Sequence, residues 1–281
     1  IFSTLFPGQS ETKNIIDSTD TSNLQDEYKI VFLGGGAGAE AMALAFLRFF
    51  YDKGYRELWT TERRGASQPH LAFAPPGKCT IETLDIADWE QVLIKLYHAS
   101  SRIWSNSSVP ETDGAPTVEH LDNTHFTSFK QCDILDLDPD TMRISIVEKR
   151  LITLMFTLNE LYTTSHAKTT TFLLNLTSCT QPGTVLLVVD SPGSYSSMSV
   201  NGSEKKYPMH FMLDHTLLTL ANRTSKRSGA GQEEIEEPCW EKLRTEESTW
   251  FRLPKELRYP IPLEDMRYQL HLYRRLPKST T

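Results

Sequence analysis

Apolar residues along the chain fall into short β-rich runs separated by stretches with helical spacing. Tyr28–Leu33 (YKIVFL) breaks into the turn GGGAGAE, after which AMALAFLRFFYDKG predicts a helix. Beyond a polar, proline-containing stretch from about Arg63 to Lys78, CTIETLD alternates like a strand. It hands over to ADWEQVLIKLYHAS, where Trp89, Val92, Leu93 and Leu96 share one helical face. Residues 101–125, rich in Ser, Asn, Pro and Thr, are expected to form a surface excursion, and FTSFKQCDIL a third strand ending near Cys132. Arg150–Phe156 (RLITLMF) is the continuous apolar run of a strand buried on both faces. Residues 160–179 predict one helix despite a β-branched Thr-Thr-Thr, Gln181–Gly183 a turn, and TVLLVVD a central strand. PMHFMLDHTLLTLA predicts an amphipathic helix and the charge-segregated residues 223–238 a mobile loop. The C-terminal segment WFRLPKELRYPIPLEDMRYQLHLYRRL predicts a pair of strands separated by Pro-rich turns, MRYQLHLY alternating clearly. Parallel neighbours need long crossovers, so five β-units with intervening helices predict an α/β fold with a parallel, doubly wound sheet. A C-terminal antiparallel hairpin at one edge brings it to seven strands, and no internal repeat is present.

Composition narrows the class. A chain of 281 residues that is 39% hydrophobic can bury a core, and its longest apolar runs fall far short of the ~20 residues that cross a bilayer. Cys79, Cys132, Cys179 and Cys239 lie far apart without a CxxC pair, which argues against zinc ribbons and a disulfide framework and for a reducing, intracellular compartment. Sequons at Asn106, Asn175, Asn201 and Asn222 then count as chance matches. The opening IFSTLFPGQS begins at Ile1 and has no basic leader, so residues 1–27 are expected to be the lead-in left from a longer N-terminus, and 28–281 the folded domain. The net charge of −7 weighs against a generally basic nucleic-acid binder. Charge is unevenly spread, however: residues 250–281 hold seven Lys/Arg and three Asp/Glu, a net of +4, which leaves −11 on residues 1–249.

The first site candidate is Gly34-Gly35-Gly36-Ala37-Gly38-Ala39-Glu40. Small residues there let the backbone turn sharply against a ligand while the next helix presents its unpaired N–H groups. No Gly-Lys-Ser/Thr follows, which disfavours a nucleoside triphosphate. A dinucleotide fingerprint would put its third glycine at Ala39, a tolerated replacement, so a nicotinamide-dependent oxidoreductase stays open. The spacing of Gly34, Gly36 and Gly38 is instead typical of S-adenosylmethionine enzymes. Two acids fit that second reading: Asp85, closing the second strand, for the ribose hydroxyls, and Asp133, after the third, which with the next backbone N–H can read an adenine edge. Asp85 lies farther from the glycines than the customary ~20 residues, and Glu62 is the rival ribose partner if the second strand is ELWTTE.

With these motifs in place, the chain resembles the fungal class I methyltransferases that modify uracil N3 in 25S ribosomal RNA. The resemblance runs through VFLGGGAGAE, DIADW, QCDIL, LITLMFTLNELY, VLLVVDSPGSYS and WFRLPKELRYPIPLEDMRYQLHLYRR, about residues 28–275. It implies a Rossmann-like sheet, S-adenosyl-L-methionine as cofactor with S-adenosyl-L-homocysteine as product, ribosomal RNA or a pre-ribosomal particle as partner, and intracellular action in the nucleolus or nucleus, with the cytoplasm as the alternative. The residues it assigns to the cofactor are Gly34, Gly35, Gly36, Ala37, Gly38 and Glu40 in the turn, with Asp85, Ile86, Asp133, Ile134 and Phe156 at the later strand ends. In this fold the reactive methyl lies beside the end of the fourth strand. Glu160 is therefore the candidate general base, Asn159 an orienting group for the uracil edge, and Asp190 and Ser191 candidates for the pocket wall; Glu160 is equally suited to capping the next helix.

The histidines His120, His125, His210 and His215 lack the i,i+4 spacing of a helical metal pair, and no metal is expected. Arg252, Arg258, Tyr259, Arg267, Tyr268, Arg274 and Arg275 could grip phosphates and stack bases, or simply solvate a sheet face. A non-catalytic, methyltransferase-like binding module is the remaining alternative, since no unmistakable catalytic motif is present.

Overall fold

The computed structural model describes residues 27–36, 38–52, 78–105, 124–193, 195–200, 203–226, 234–253, 258 and 260–278. Strands apolar on both sides take the centre of the sheet, because only there are both faces covered. These are β1 (Glu27–Leu33), β4 (Leu151–Met155) and β5 (Val185–Asp190), the last buried at every position. Outside them lie β2 (Lys78–Asp85) and β3 (Thr124–Gln131) on one side, β11 (Met266–Arg275) and β10 (Trp240–Phe251) on the other. The order is β3-β2-β1-β4-β5-β11-β10, with β11 antiparallel to both neighbours and the other pairings parallel.

Alternation along each strand sends side chains to two cores. Val31, Leu33, Ile152, Leu154, Leu186, Val188 and Tyr273 pack on one face with α3 (Pro139–Ile146), α4 (Leu158–Thr164), α5 (His166–Cys179) and α6 (Met209–His215). Ile30, Phe32, Leu187, Leu270 and Leu272 pack on the other face with Ala41 and Leu44 of α1 (Ala39–Asp52), beside which runs α2 (Glu90–Ser105).

Several elements depart from the sequence expectation. The helix expected over 160–179 is two helices, because Ser165 is extended at φ −163°: its N–H closes α4 on Leu161 O and its hydroxyl accepts from Lys168 N at the start of α5. Helix α3 was unforeseen although it carries a strong start signal, Asp138 accepting from the N–H groups of Asp140 and Thr141 with Pro139 in the first turn. A hairpin of β6 (Tyr195–Val200) and β7 (Ser203–Pro208) follows β5, and the sequence Asn201-Gly202 between its strands is the turn signal that could have located it. Helix α6 ends in a π-helical turn, Thr216–Leu220. The segment expected as a loop over 223–238 pairs at its ends as β8 (Arg223–Lys226) and β9 (Glu234–Glu237), while 227–233 lie outside the described residues. The lead-in 1–26 and most of the excursion after α2 lie outside them as well. Among the described residues no helix is long and apolar enough to cross a membrane.

Candidate functional site

The chain runs from β1 outward to β3 and then returns to lay β4 on the opposite side of β1, so the strand order reverses between β1 and β4. Ligands of open α/β sheets bind in the crevice at the carboxyl ends of such a pair. The register brings Leu33 level with Leu154, and the loops beyond them meet: the Thr157 hydroxyl is 3.0 Å from Met155 O and 3.4 Å from Gly34 O. The glycine turn and the end of β4 therefore line one crevice.

Asp85 anchors the glycine side. It is the last residue of β2 and buried, and its two carboxylate oxygens accept N–H bonds from Gly36 (2.8 Å) and Ala87 (2.9 Å). A carboxylate has about four lone-pair sites, so each oxygen keeps one for a ligand hydroxyl. Gly36 has φ +47°, and a Cβ built on it would meet nothing nearer than Gly34 O at 3.9 Å and Asp85 Oδ2 at 4.0 Å. The turn is thus open on the side of the Asp85 carboxylate. Gly38 differs: at φ +85° its Cβ would lie 2.5 Å from Leu93 Cδ2, so its smallness serves the packing of α1 on α2.

Beyond β2, Ile86 is 68% exposed, and its carbonyl accepts from Gln131 Nε2. After β3, Asp133 Oδ1 accepts from Leu135 N at 2.9 Å, while its other oxygen has no hydrogen-bond partner among the described residues. The Ile134 side chain is buried in the core, which leaves only its backbone for a ligand. Asp85, Ile86, Asp133 and the Ile134 backbone thus follow one another along the crevice rim. Ala37 and Glu62 lie outside the described residues.

Glu40, in the first turn of α1, faces the same crevice, and burial, aided by the nearby Asp85 charge, pushes its carboxyl up to about 7. A carboxyl near 4.5 when unfolded and near 7 when folded holds its proton more tightly in the folded state. Stability therefore falls as pH rises from about 4.5 to about 7, with the full cost present above that window. Glu40→Gln, which cannot ionise, is expected to melt above wild type at pH 8 and level with it near pH 4. Thermal melts at the two values check this, and equal melting temperatures at pH 8 would contradict it.

On the β4 side, Phe156 is the sole non-glycine residue at positive φ (55°) among those described, and it is 41% exposed. Strain in a bulky residue persists where the surroundings over-determine it, and such residues cluster at ligand clamps. Here Phe156 N donates to Val189 O at 2.7 Å. Nothing in the sequence signals that conformation.

Helix α4 begins two residues later. Its cap residue Thr157 makes no side-chain cap bond, and the role passes to the buried Asp190 at the end of β5. Asp190 accepts from Asn159 N (3.0 Å) and Ser191 N (2.7 Å). Burial raises its carboxyl above the ordinary range, and these two N–H bonds pull the other way. Asn159 and Glu160 are thereby fixed in the first turn of α4, next to Phe156. Glu160 is exposed, and its carboxylate makes no hydrogen bond among the described residues. The sequence places Asp190 and Ser191 at the pocket wall; that Asp190 also caps α4 is what sequence reasoning missed, an acid closing a buried strand being the only signal.

A polar chain holds the loop after β5. Gln269 Nε2 donates to Ser191 O (2.8 Å), its Oε1 accepts from His271 Nε2 (3.2 Å), and His271 Nδ1 accepts from the Thr245 hydroxyl (2.8 Å). Burial, with the Lys242 and His210 charges, lowers His271 to about 4, which keeps the imidazole neutral as this chain of donors requires. His210 stacks on His271, and among the described residues no three His, Cys, Asp or Glu side chains gather to hold a metal.

The C-terminal basic residues serve different ends. Arg275 is buried and bonds the carbonyls of Thr177, Cys239 and Leu276, so it is structural and unavailable to a phosphate. Arg274 pairs with Glu241, and Tyr259 lies outside the described residues. Arg252, Arg258 and Arg267 remain exposed.

An antiparallel β11 inserted between β5 and β10 distinguishes this sheet from the all-parallel dinucleotide fold and defines the Rossmann-like sheet of class I methyltransferases. Comparison with known proteins leads to the same class. Residues 1–274 match the family of SAM-dependent methyltransferases, and the chain belongs to it. Its cofactor is S-adenosylmethionine, which sets aside the oxidoreductase alternative. The 25S rRNA (uridine(2843)-N(3))-methyltransferase of Saccharomyces cerevisiae is 31% identical over 244 residues, which take in 87% of this chain and 60% of the yeast protein. The chain thus spans about three-fifths of the curated relative's length. Two solved structures show a more distant likeness. A SAM-dependent methyltransferase of Methanosarcina mazei has a TM-score of 0.46 at 9% identity, covering 90% of this chain and 94% of that one. The N-methyltransferase NodS of Bradyrhizobium japonicum, in complex with S-adenosyl-L-homocysteine, has 0.41 at 11%, covering 88% and 78%.

Proposed function

We propose that this chain transfers the methyl group of S-adenosylmethionine to N3 of a uridine in large-subunit ribosomal RNA, acting in the nucleolus or nucleus. The observation that carries the reading is the pair of carboxylates at the two ends of the crevice: Asp85, pinned beside the open glycine turn, and Glu160, held exposed at the start of α4 by Asp190. The yeast relative supports the choice of acceptor.

The residues fit the cofactor. Asp85 offers free lone pairs to the ribose hydroxyls, Asp133 with the Ile134 backbone faces the adenine edge, and exposed Ile86 covers an apolar ring. Gly36 leaves room for the methionyl part, whose cationic ammonium favours the ionised form of Glu40. When bound, the cofactor supplies an electrophilic methyl already activated by its sulfonium charge. The chain's own work is alignment, exclusion of water and removal of one proton. Phe156 walls the crevice where β4 ends, Asn159 orients the uracil edge, and Glu160 accepts the N3 proton.

Glu160→Gln keeps the shape and removes the base. We expect methylation of a large-subunit rRNA fragment to slow by about a hundredfold in kcat, the range of general-base catalysis, with S-adenosylhomocysteine affinity unchanged. Single-turnover rates with radiolabelled cofactor measure it, and a wild-type rate in the variant would remove Glu160 from the reaction.

A further inference from the structure

β11 is longer than β5, one of the two strands it pairs with. Its ladder with β5 ends at Gln269 opposite Asp190, so Met266, Arg267 and Tyr268 overhang the carboxyl edge of the sheet. They pair there with Phe251, Trp250 and Thr249 of β10, beyond the irregularity between Glu246 and Thr249. The overhang therefore stands on the edge that carries the crevice. Three inter-strand steps separate β10 from β4, roughly 15 Å at ~4.8 Å each.

Its side matters as much as its end. Residues 267, 269, 271 and 273 of β11 point the same way, and Tyr273 belongs to the core that holds Leu158 and Leu161 of α4. Arg267, and Trp250 directly opposite it, thus face the side of the sheet on which Asn159 and Glu160 lie.

Trp250 is 50% exposed, with the Arg252 guanidinium 4.7 Å and the Arg267 guanidinium 5.4 Å from its ring centroid. Arg252 is also paired with Asp265 at 3.0 Å. Arg267 donates to the Ser248 hydroxyl and has no carboxylate partner among the described residues. A solvated indole with two guanidinium groups beside it offers a stacking surface with phosphate-binding groups at its rim. The patch also lies in a stretch of this acidic chain that is itself basic, +4 over residues 250–281.

We propose that the overhanging end of the β10–β11 hairpin, with Trp250 beside Arg252 and Arg267, binds single-stranded RNA flanking the target base, a nucleobase stacking on the cluster and Arg267 holding a phosphate. This rests on the RNA reading above and adds the place where the strand lies. Single-stranded substrate suits it, since N3 of uracil is on the edge that base pairing hides.

The test is fluorescence anisotropy of a labelled single-stranded oligouridylate with the full chain, over a salt series, for wild type, Trp250→Ala and Arg267→Ala. Stacking contributes ~1–3 kcal/mol per base, so Trp250→Ala should weaken binding on the order of tenfold. Arg267→Ala should flatten the log–log salt dependence by about 0.7 for the lost phosphate contact. S-adenosylhomocysteine affinity, unchanged in both, reports that each variant is folded. If wild type binds and methylates RNA while both variants bind it equally well, the docking site is wrong and the RNA reading stands. If wild type binds no single-stranded RNA, the docking site and the reading beneath it both fall.

Discussion

A Gly36→Val variant is expected to stay folded and to lose S-adenosylhomocysteine affinity by more than about a hundredfold, on the order of 2.7 kcal/mol. The side chain would enter the open space on the Asp85 side of the turn, where nothing of the protein lies within 3.9 Å of its Cβ. Folding pays separately, because a residue with φ +47° and a side chain costs ~1–2 kcal/mol. At ~2–4 °C per kcal/mol the melting temperature should drop by several degrees and no more. Gly38→Ala gives the contrast. Its methyl would strike Leu93 inside the packing of α1 on α2, so stability falls first and affinity follows only through it. Calorimetric titration beside thermal melts separates the two, and full binding by folded Gly36→Val would move the cofactor out of the turn.

Asp85→Ala should be nearly as damaging. The carboxylate accepts from Gly36 N and Ala87 N, and the account gives its remaining lone pairs to the ribose. Removing it costs the ligand bonds and leaves two backbone donors without their acceptor, at ~1–3 kcal/mol for a buried orphan. Cofactor affinity should fall by more than about tenfold, 1.4 kcal/mol or more, and the melting temperature with it. Asp85→Asn, which keeps one acceptor oxygen, should fall between. Unchanged affinity in the alanine variant would return the ribose role to Glu62.

What was legible in the sequence was whatever local pattern decides alone. The runs at Leu151–Met155 and Val185–Asp190 are apolar on both faces and can only be central, and a glycine turn after β1 can only be a ligand turn or a tight bend. The carboxylates Asp85 and Asp133 were readable because each closes or follows a strand. Contacts between distant segments were not readable. That Asp190 caps α4, or that Gln269 and His271 brace the loop after β5, depends on β11 lying beside β5 in one register. The conformation of Phe156 is imposed by its surroundings against its own preference, so its sequence carries no trace of it. Composition was misleading at Arg275, which resembles its exposed neighbours until alternation turns it inward among carbonyls. It also concealed Trp250, whose role comes from the length by which β11 outruns β5.

The central claim is methyl transfer to uridine N3, and mass-spectrometric mapping of large-subunit rRNA from cells with and without the protein tests it most directly. The account predicts that one 3-methyluridine is lost with the gene and returns with wild type but far less with Glu160→Gln. Persistence of every 3-methyluridine in the deletion would contradict the substrate, leaving a SAM-dependent methyltransferase that acts elsewhere.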